Sequence, residues 1–126
     1  MTFIDFAHLK QLADASAAVS LPCNCADAAM LGWQPLPMTL ELEQFNEVGT
    51  LVEDPYEEPA FAEYHPDGTR YESAEAPIAP RYYPYNQCLV VRCVKCGRHY
   101  LRYNEAGGYF TELRIRALRP QLLVDA

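Results

Sequence analysis

The chain has 126 residues, of which 50% are hydrophobic and 12% aromatic, with ten prolines, six glycines and a formal net charge of −7. That length holds one hydrophobic core, the composition excludes a disordered chain, and the proline count excludes a coiled coil or long-helix protein. No stretch approaches the about 20 apolar residues of a membrane span, and Met1-Thr2-Phe3-Ile4-Asp5 lacks the basic-then-apolar layout of an export signal, so a cytoplasmic location is expected.

In chain order, residues 2–19 place Phe3, Phe6, Leu9, Leu12 and Ala13 at helical spacing, with Thr2 at the N-cap position three residues before Asp5. Cys23-Asn24-Cys25 follows Pro22. From residue 38 the pattern turns to β: Leu40 and Leu42 alternate with Glu41 and Glu43. Phe61 to His65 is joined to Thr69-Arg70-Tyr71 by the turn residues Pro66-Asp67-Gly68. Residues Pro77 to Pro84 read as an extended loop whose Tyr82, Tyr83 and Tyr85 pack on the sheet. A strand from Asn86 to Cys93 follows. Ala106-Gly107-Gly108 turns the chain between two more strands, Arg98 to Asn104 and Tyr109 to Leu118.

Five cysteines in a chain without an export pattern point away from a disulfide framework, because a reducing compartment keeps thiols free and an odd count leaves one over. Cys93-Val94-Lys95-Cys96-Gly97-Arg98 places two thiolates three residues apart on one tight turn, with Gly97 in the conformation that lets backbone N–H groups face the sulfurs. This motif resembles the knuckle of zinc-ribbon proteins. The resemblance implies a tetrahedral zinc with two further soft ligands, and Cys23 and Cys25 supply a second close pair. The ligand set is therefore Cys23, Cys25, Cys93 and Cys96, with Cys88 or His99 as alternative members. Strand alternation turns Cys88 away from Cys93, which suits a small buried hydrophobe. A redox dithiol would need a helix after the first cysteine, whereas Arg98 to Tyr103 alternates like a strand. The His-x-Glu and Pro-Cys pattern of zinc deaminases is missing, and four thiolates leave no open coordination position, so the zinc is expected to be structural. The expected fold class is α+β: an N-terminal helix followed by short antiparallel strands and hairpins around the zinc knuckle. One domain is divided into residues 1–37 (helix and first Cys pair), 38–76 (acidic β insertion) and 77–126 (knuckle hairpin).

Charge is divided along the chain: residues 1–40 carry −2, residues 41–75 carry −10 and residues 76–126 carry +5. Within the acidic part, Pro55 and Pro59 keep Glu53, Asp54, Tyr56, Glu57 and Glu58 out of regular structure, which predicts an exposed acidic loop containing an aromatic for a basic protein partner. The chain has no Gly-rich phosphate loop, His-Glu-x-x-His or Gly-x-Ser-x-Gly motif, so no enzymatic activity is expected. These features suit a non-catalytic, zinc-stabilised protein-interaction module, such as an immunity or antitoxin protein presenting carboxylates where a nuclease toxin accepts phosphates. The alternative is a nucleic-acid-binding or transcription-related regulator. It would use Arg92, Lys95, Arg98, Arg102, Arg114 and Arg116, interleaved with Tyr100, Tyr103 and Tyr109. Against it, four thiolates around one Zn²⁺ carry a net negative charge, which gives nearby Lys and Arg a neutralising duty.

Overall fold

Antiparallel pairing on both sides of the Cys93–Cys96 turn organises the chain. The computed structural model describes residues 1–107 and 110–126. Helix α1 (Phe6–Ala17) and the one-turn helix α2 (Asn24–Asp27) precede five strands: β1 (Gln34–Pro35), β2 (Phe45–Thr50), β3 (Leu89–Cys93), β4 (His99–Gly107) and β5 (Phe110–Ala117). The strands form one antiparallel sheet in the order β1-β5-β4-β3-β2, so the fold is the expected α+β. Ala106 and Gly107, expected in the turn, belong to β4, and the rest of that turn, Gly108, lies with Tyr109 outside the described residues.

The N-cap is Asp5, whose Oδ1 accepts from the His8 N–H at 2.8 Å, and not Thr2. Residues 2 to 4 are claimed by the sheet instead: the Ile4 N–H donates to the Thr50 carbonyl and the Thr50 N–H to the Thr2 carbonyl, both at 2.9 Å. Backbone already paired with β2 cannot also be helical.

Strand alternation gives the sheet two buried faces. Cys88, Val90, Leu101, Tyr103 and Leu118 share one with Leu9 and Ala13 of α1, Trp33 and Ile78. Val91, Cys93, Tyr100 and Ile115 share the other with Cys23, Cys25 and Met30. Adjacent Val90 and Val91 are both fully buried, which a sheet covered on one side only could not achieve. On the first face, Arg116 pins irregular segments to the sheet. Its guanidinium donates to the carbonyls of Leu31, Ala74 and Ala76 at 3.0, 3.2 and 3.4 Å and to the Tyr85 hydroxyl at 2.8 Å. Tyr85 is buried here and Tyr83 meets the Tyr103 ring edge-on at 6.1 Å, so these two tyrosines of the proline-rich loop pack on the sheet, whereas Tyr82 packs against Tyr64 at 5.1 Å.

Residues 38–76 depart from the expected β insertion. Their one strand, β2, belongs to the main sheet, and residues Leu42–Gln44, read as strand, form a single 3₁₀ turn. The expected hairpin at 61–71 has its turn but no ladder: the Gly68 N–H donates to the His65 carbonyl at 3.1 Å, and His65 Nδ1 meets Thr69 Oγ1 at 2.8 Å. The flanking backbone is used elsewhere. Tyr83 N–H donates to the Ala62 carbonyl, Asn86 Nδ2 donates to that of Ala60, and Pro66 has no N–H to offer a ladder.

Candidate metal centre

Cys93 closes β3, Val94 and Lys95 form an exposed tip, and Cys96 turns the chain back toward β4. Two backbone bonds lock this turn: Cys93 N–H to the Arg98 carbonyl at 2.8 Å and Gly97 N–H to the Cys93 carbonyl at 2.9 Å. Gly97 has φ +90°, the left-handed conformation that favours glycine. The Arg98 N–H then approaches Cys96 Sγ at 3.5 Å.

The first pair sits at the start of α2. Cys23 is its N-cap in extended conformation, and its carbonyl accepts from the N–H groups of Ala26 and Asp27, both at 3.1 Å. This single helical turn holds Cys25 within the same curl of chain. Arg98 ties the preceding loop down: its guanidinium donates to the carbonyls of Leu21 at 2.7 Å and Val19 at 3.3 Å. The Cys93–Arg98 turn thus carries the clamp that positions the other half of the cysteine cluster.

The four sulfurs of Cys23, Cys25, Cys93 and Cys96 all lie within 4.8 Å of one another, and all four residues are buried. Cys23 Sγ is 3.7 Å from Cys93 Sγ, and Cys25 Sγ is 3.5 Å from Cys96 Sγ. Both separations are far too long for a disulfide, and all five cysteines are free thiols. A tetrahedron with metal–sulfur bonds of about 2.3 Å has edges of about 3.8 Å, so the cavity between these atoms fits a thiolate-bound metal ion such as zinc.

Gln44, only 5% exposed, reaches the same cluster from the 3₁₀ turn before β2. Its Nε2 donates to Asn24 Oδ1 at 2.8 Å and to Cys93 Sγ at 3.3 Å, and lies 3.8 Å from Cys23 Sγ. One amide therefore connects both Cys pairs, as the outer shell of a metal site does. Nothing in the sequence marks Gln44, which stands in an ordinary run of alternating polar and apolar residues.

The thiols are differently tuned. Burial works against the Cys93 thiolate, but the Gln44 amide and the backbone N–H groups of Cys96 and Lys95 outweigh it and bring the thiol down to about 6. Burial pushes the Cys25 thiol well up, with the Tyr100 hydroxyl opposing. The Cys96 sulfur raises the already high pKa of Arg98. A divalent cation among the four sulfurs would supply the positive charge that burial denies Cys25.

The two alternative ligands lie elsewhere. Cys88 is fully buried in the first core, its Sγ 3.2 Å from the Pro84 carbonyl, and burial raises its thiol well above the usual value. His99 lies under α1, where its N–H donates to Ser16 Oγ at 2.8 Å, and its ring Nδ1 is buried without a partner.

The acidic residues occupy exposed, irregular backbone: Glu53, Asp54, Glu57 and Glu58 are all exposed, and Tyr56 is 98% exposed. Among the described residues of the basic hairpin, Arg92 and Lys95 are exposed. Tyr100, Tyr103 and Arg116 are buried, and Arg102 and Arg114 are ion-paired with Glu47 at 2.6 Å and Glu112 at 2.8 Å. Tyr100 and Tyr103 fall on opposite faces of the sheet, each within a buried core. Among the described residues, no helix is long and apolar enough to cross a membrane.

Comparison of the chain with protein-family models, with curated proteins and with solved structures found no match.

Proposed function

We propose that this chain is a non-catalytic protein-interaction module held together by a structural zinc ion on Cys23, Cys25, Cys93 and Cys96, and that its acidic segment engages a basic protein partner. The observation that carries the reading is the four-sulfur cluster, whose 3.5 and 3.7 Å separations match the edges of a zinc–thiolate tetrahedron. Four thiolates complete that tetrahedron and leave no position for a substrate or an activated water. The ion's role is then to join two segments about seventy residues apart, so that its binding free energy becomes folding free energy. Free thiols suit a reducing compartment such as the cytoplasm.

The partner half of the reading rests on charge and exposure. Glu53, Asp54, Glu57 and Glu58 surround an aromatic that nothing in the fold covers, and a concentrated negative field speeds encounter with a positively charged protein. An immunity or antitoxin-type inhibitor of a nuclease is its concrete form, since a nuclease surface already accepts anions.

Two measurements on the full chain test the two halves. Elemental analysis after purification is expected to find one zinc per chain; metal-free protein with an unchanged unfolding transition would sink the zinc assignment. Glu57→Lys with Glu58→Lys should slow association with basic nuclease domains several-fold and flatten its salt dependence, leaving thermal stability nearly unchanged. An unaltered association rate would reject the acidic segment as the contact surface.

A further inference from the structure

The exposed acidic loop forms one wall of a groove of about 500 Å³, and the opposite wall comes from the two ends of the described chain. Six carboxylate residues line it: Asp5, Glu53, Asp54, Glu57, Glu58 and Asp125. Between them lie apolar surfaces of Phe3, Phe6 and Leu51. Phe3 is 42% exposed, where it bridges to Thr50 at the edge of the sheet. Arg81 is the one cationic side chain in the lining, and its contact with Asp125 at 3.7 Å, between two side chains more than 60% exposed, is too weak and too solvated to neutralise the groove.

Asn86 adds an observation independent of charge. Its Nδ2 donates to the Ala60 carbonyl at 2.8 Å, which holds the loop to the body of the protein. Its Oδ1 is buried without a donor, and Asn86 itself is among the residues that line the groove. The acidic wall is thus anchored to the body of the protein at the groove itself, so the groove is formed before any partner arrives.

We propose that this groove binds a partner segment bearing arginine or lysine, with the cationic heads on the carboxylates and the aliphatic stems on Phe3 and Phe6. The proposal rests on the reading of the chain as an acidic interaction module and names the place and chemistry of the contact. Arg and Lys match both components of the lining, because they carry an apolar stem below a charged donor. A cleft walled by one sign of charge also focuses its field on an entering cation more strongly than a flat acidic surface does.

The test uses the full metal-loaded chain and a fluorescein-labelled short peptide of alternating arginine and serine, with the glutamate-for-arginine peptide as control, read by fluorescence anisotropy. The triple variant Glu53→Gln, Glu57→Gln, Glu58→Gln should weaken binding at least about tenfold. The variant Glu41→Gln, Glu43→Gln, Glu75→Gln removes equal charge from exposed positions outside the groove and should change binding less than about twofold. Phe3→Ser, which leaves the charge alone, should weaken binding several-fold while the thermal unfolding transition persists. Equal loss in both triple variants would overturn the groove as the site, leaving the acidic module intact. No binding of the arginine peptide to the unaltered chain would overturn the groove and the basic-partner reading together.

Discussion

The sulfurs of Cys23 and Cys93 lie 3.7 Å apart, although seventy residues separate them in the chain. Closing so long a loop costs conformational entropy that a shared metal ion can offset, and loops of this length gain most from such a clip. Cys93→Ser or Cys96→Ser should therefore lose the metal together with most of the cooperative unfolding transition. Cys88→Ser should retain one metal ion per chain, because that thiol faces the Pro84 carbonyl in the other core. Loss of metal from Cys88→Ser, measured by elemental analysis, would contradict this division.

Gln44 tests the outer shell. Its Nε2 lies 3.3 Å from Cys93 Sγ and 2.8 Å from Asn24 Oδ1, so Gln44→Leu keeps the bulk and removes the donor. Zinc affinity, measured by competition with a chromophoric chelator, should fall about 10- to 100-fold. An unchanged affinity would mean that the amide only fills space.

Arg116 is fully buried, and among the described residues no carboxylate is bonded to it; its acceptors are three backbone carbonyls and the Tyr85 hydroxyl. Arg116→Met would leave these acceptors without their donor inside the protein. Several orphaned groups at about 1–3 kcal/mol each, softened by relaxation, predict a loss of at least about 3 kcal/mol in denaturant unfolding. A loss below about 1 kcal/mol would show that water replaces the guanidinium.

Gly32 lies against the backbone of residues 72–73. A Cβ there would stand 2.4 Å from the Glu72 carbonyl oxygen, closer than any real contact allows. Gly32→Ala must displace that segment and should cost about 1–3 kcal/mol, as overpacking does. Zinc content should not change, and a neutral effect on stability would show that the segment moves freely.

Burial first, then Arg92 and His8, lower the pKa of His99 below its ordinary value of 6.5. Above that value the imidazole is neutral in both the folded and unfolded chain, and its contribution is constant. As the pH falls below 6.5, the unfolded chain takes up a proton that the folded chain refuses, and stability declines until the folded pKa is passed. The stability difference between wild type and His99→Leu should therefore shift toward the variant as pH drops from neutral through this window. Parallel pH profiles from denaturant unfolding would refute the assignment; comparison with the variant cancels the acid sensitivity of the thiolates.

The elements that local chemistry controls were legible in the sequence. Alternation from Leu89 to Cys93 and from Arg98 to Tyr103, together with a glycine at 97 where φ is +90°, marks the strand–turn–strand unit. Proline at 55 and 59 likewise leaves the acidic loop exposed. Tertiary structure decided the rest. Period-two alternation sorts residues onto two faces but does not say which face meets water. Arg116 and Tyr103 therefore read as an exposed basic hairpin until α1 and Trp33 cover their face of the sheet. Residues 61–71 have hairpin composition but no ladder: the Ala62 carbonyl accepts from Tyr83 instead, and that of neighbouring Ala60 from Asn86. The amide of Gln44, the clamp from Arg98 to Leu21 and the meeting of Asp5 and Asp125 with the acidic loop all join residues distant in sequence. Such contacts leave no periodicity or spacing in the chain, because only the packing of the completed sheet brings their atoms within reach.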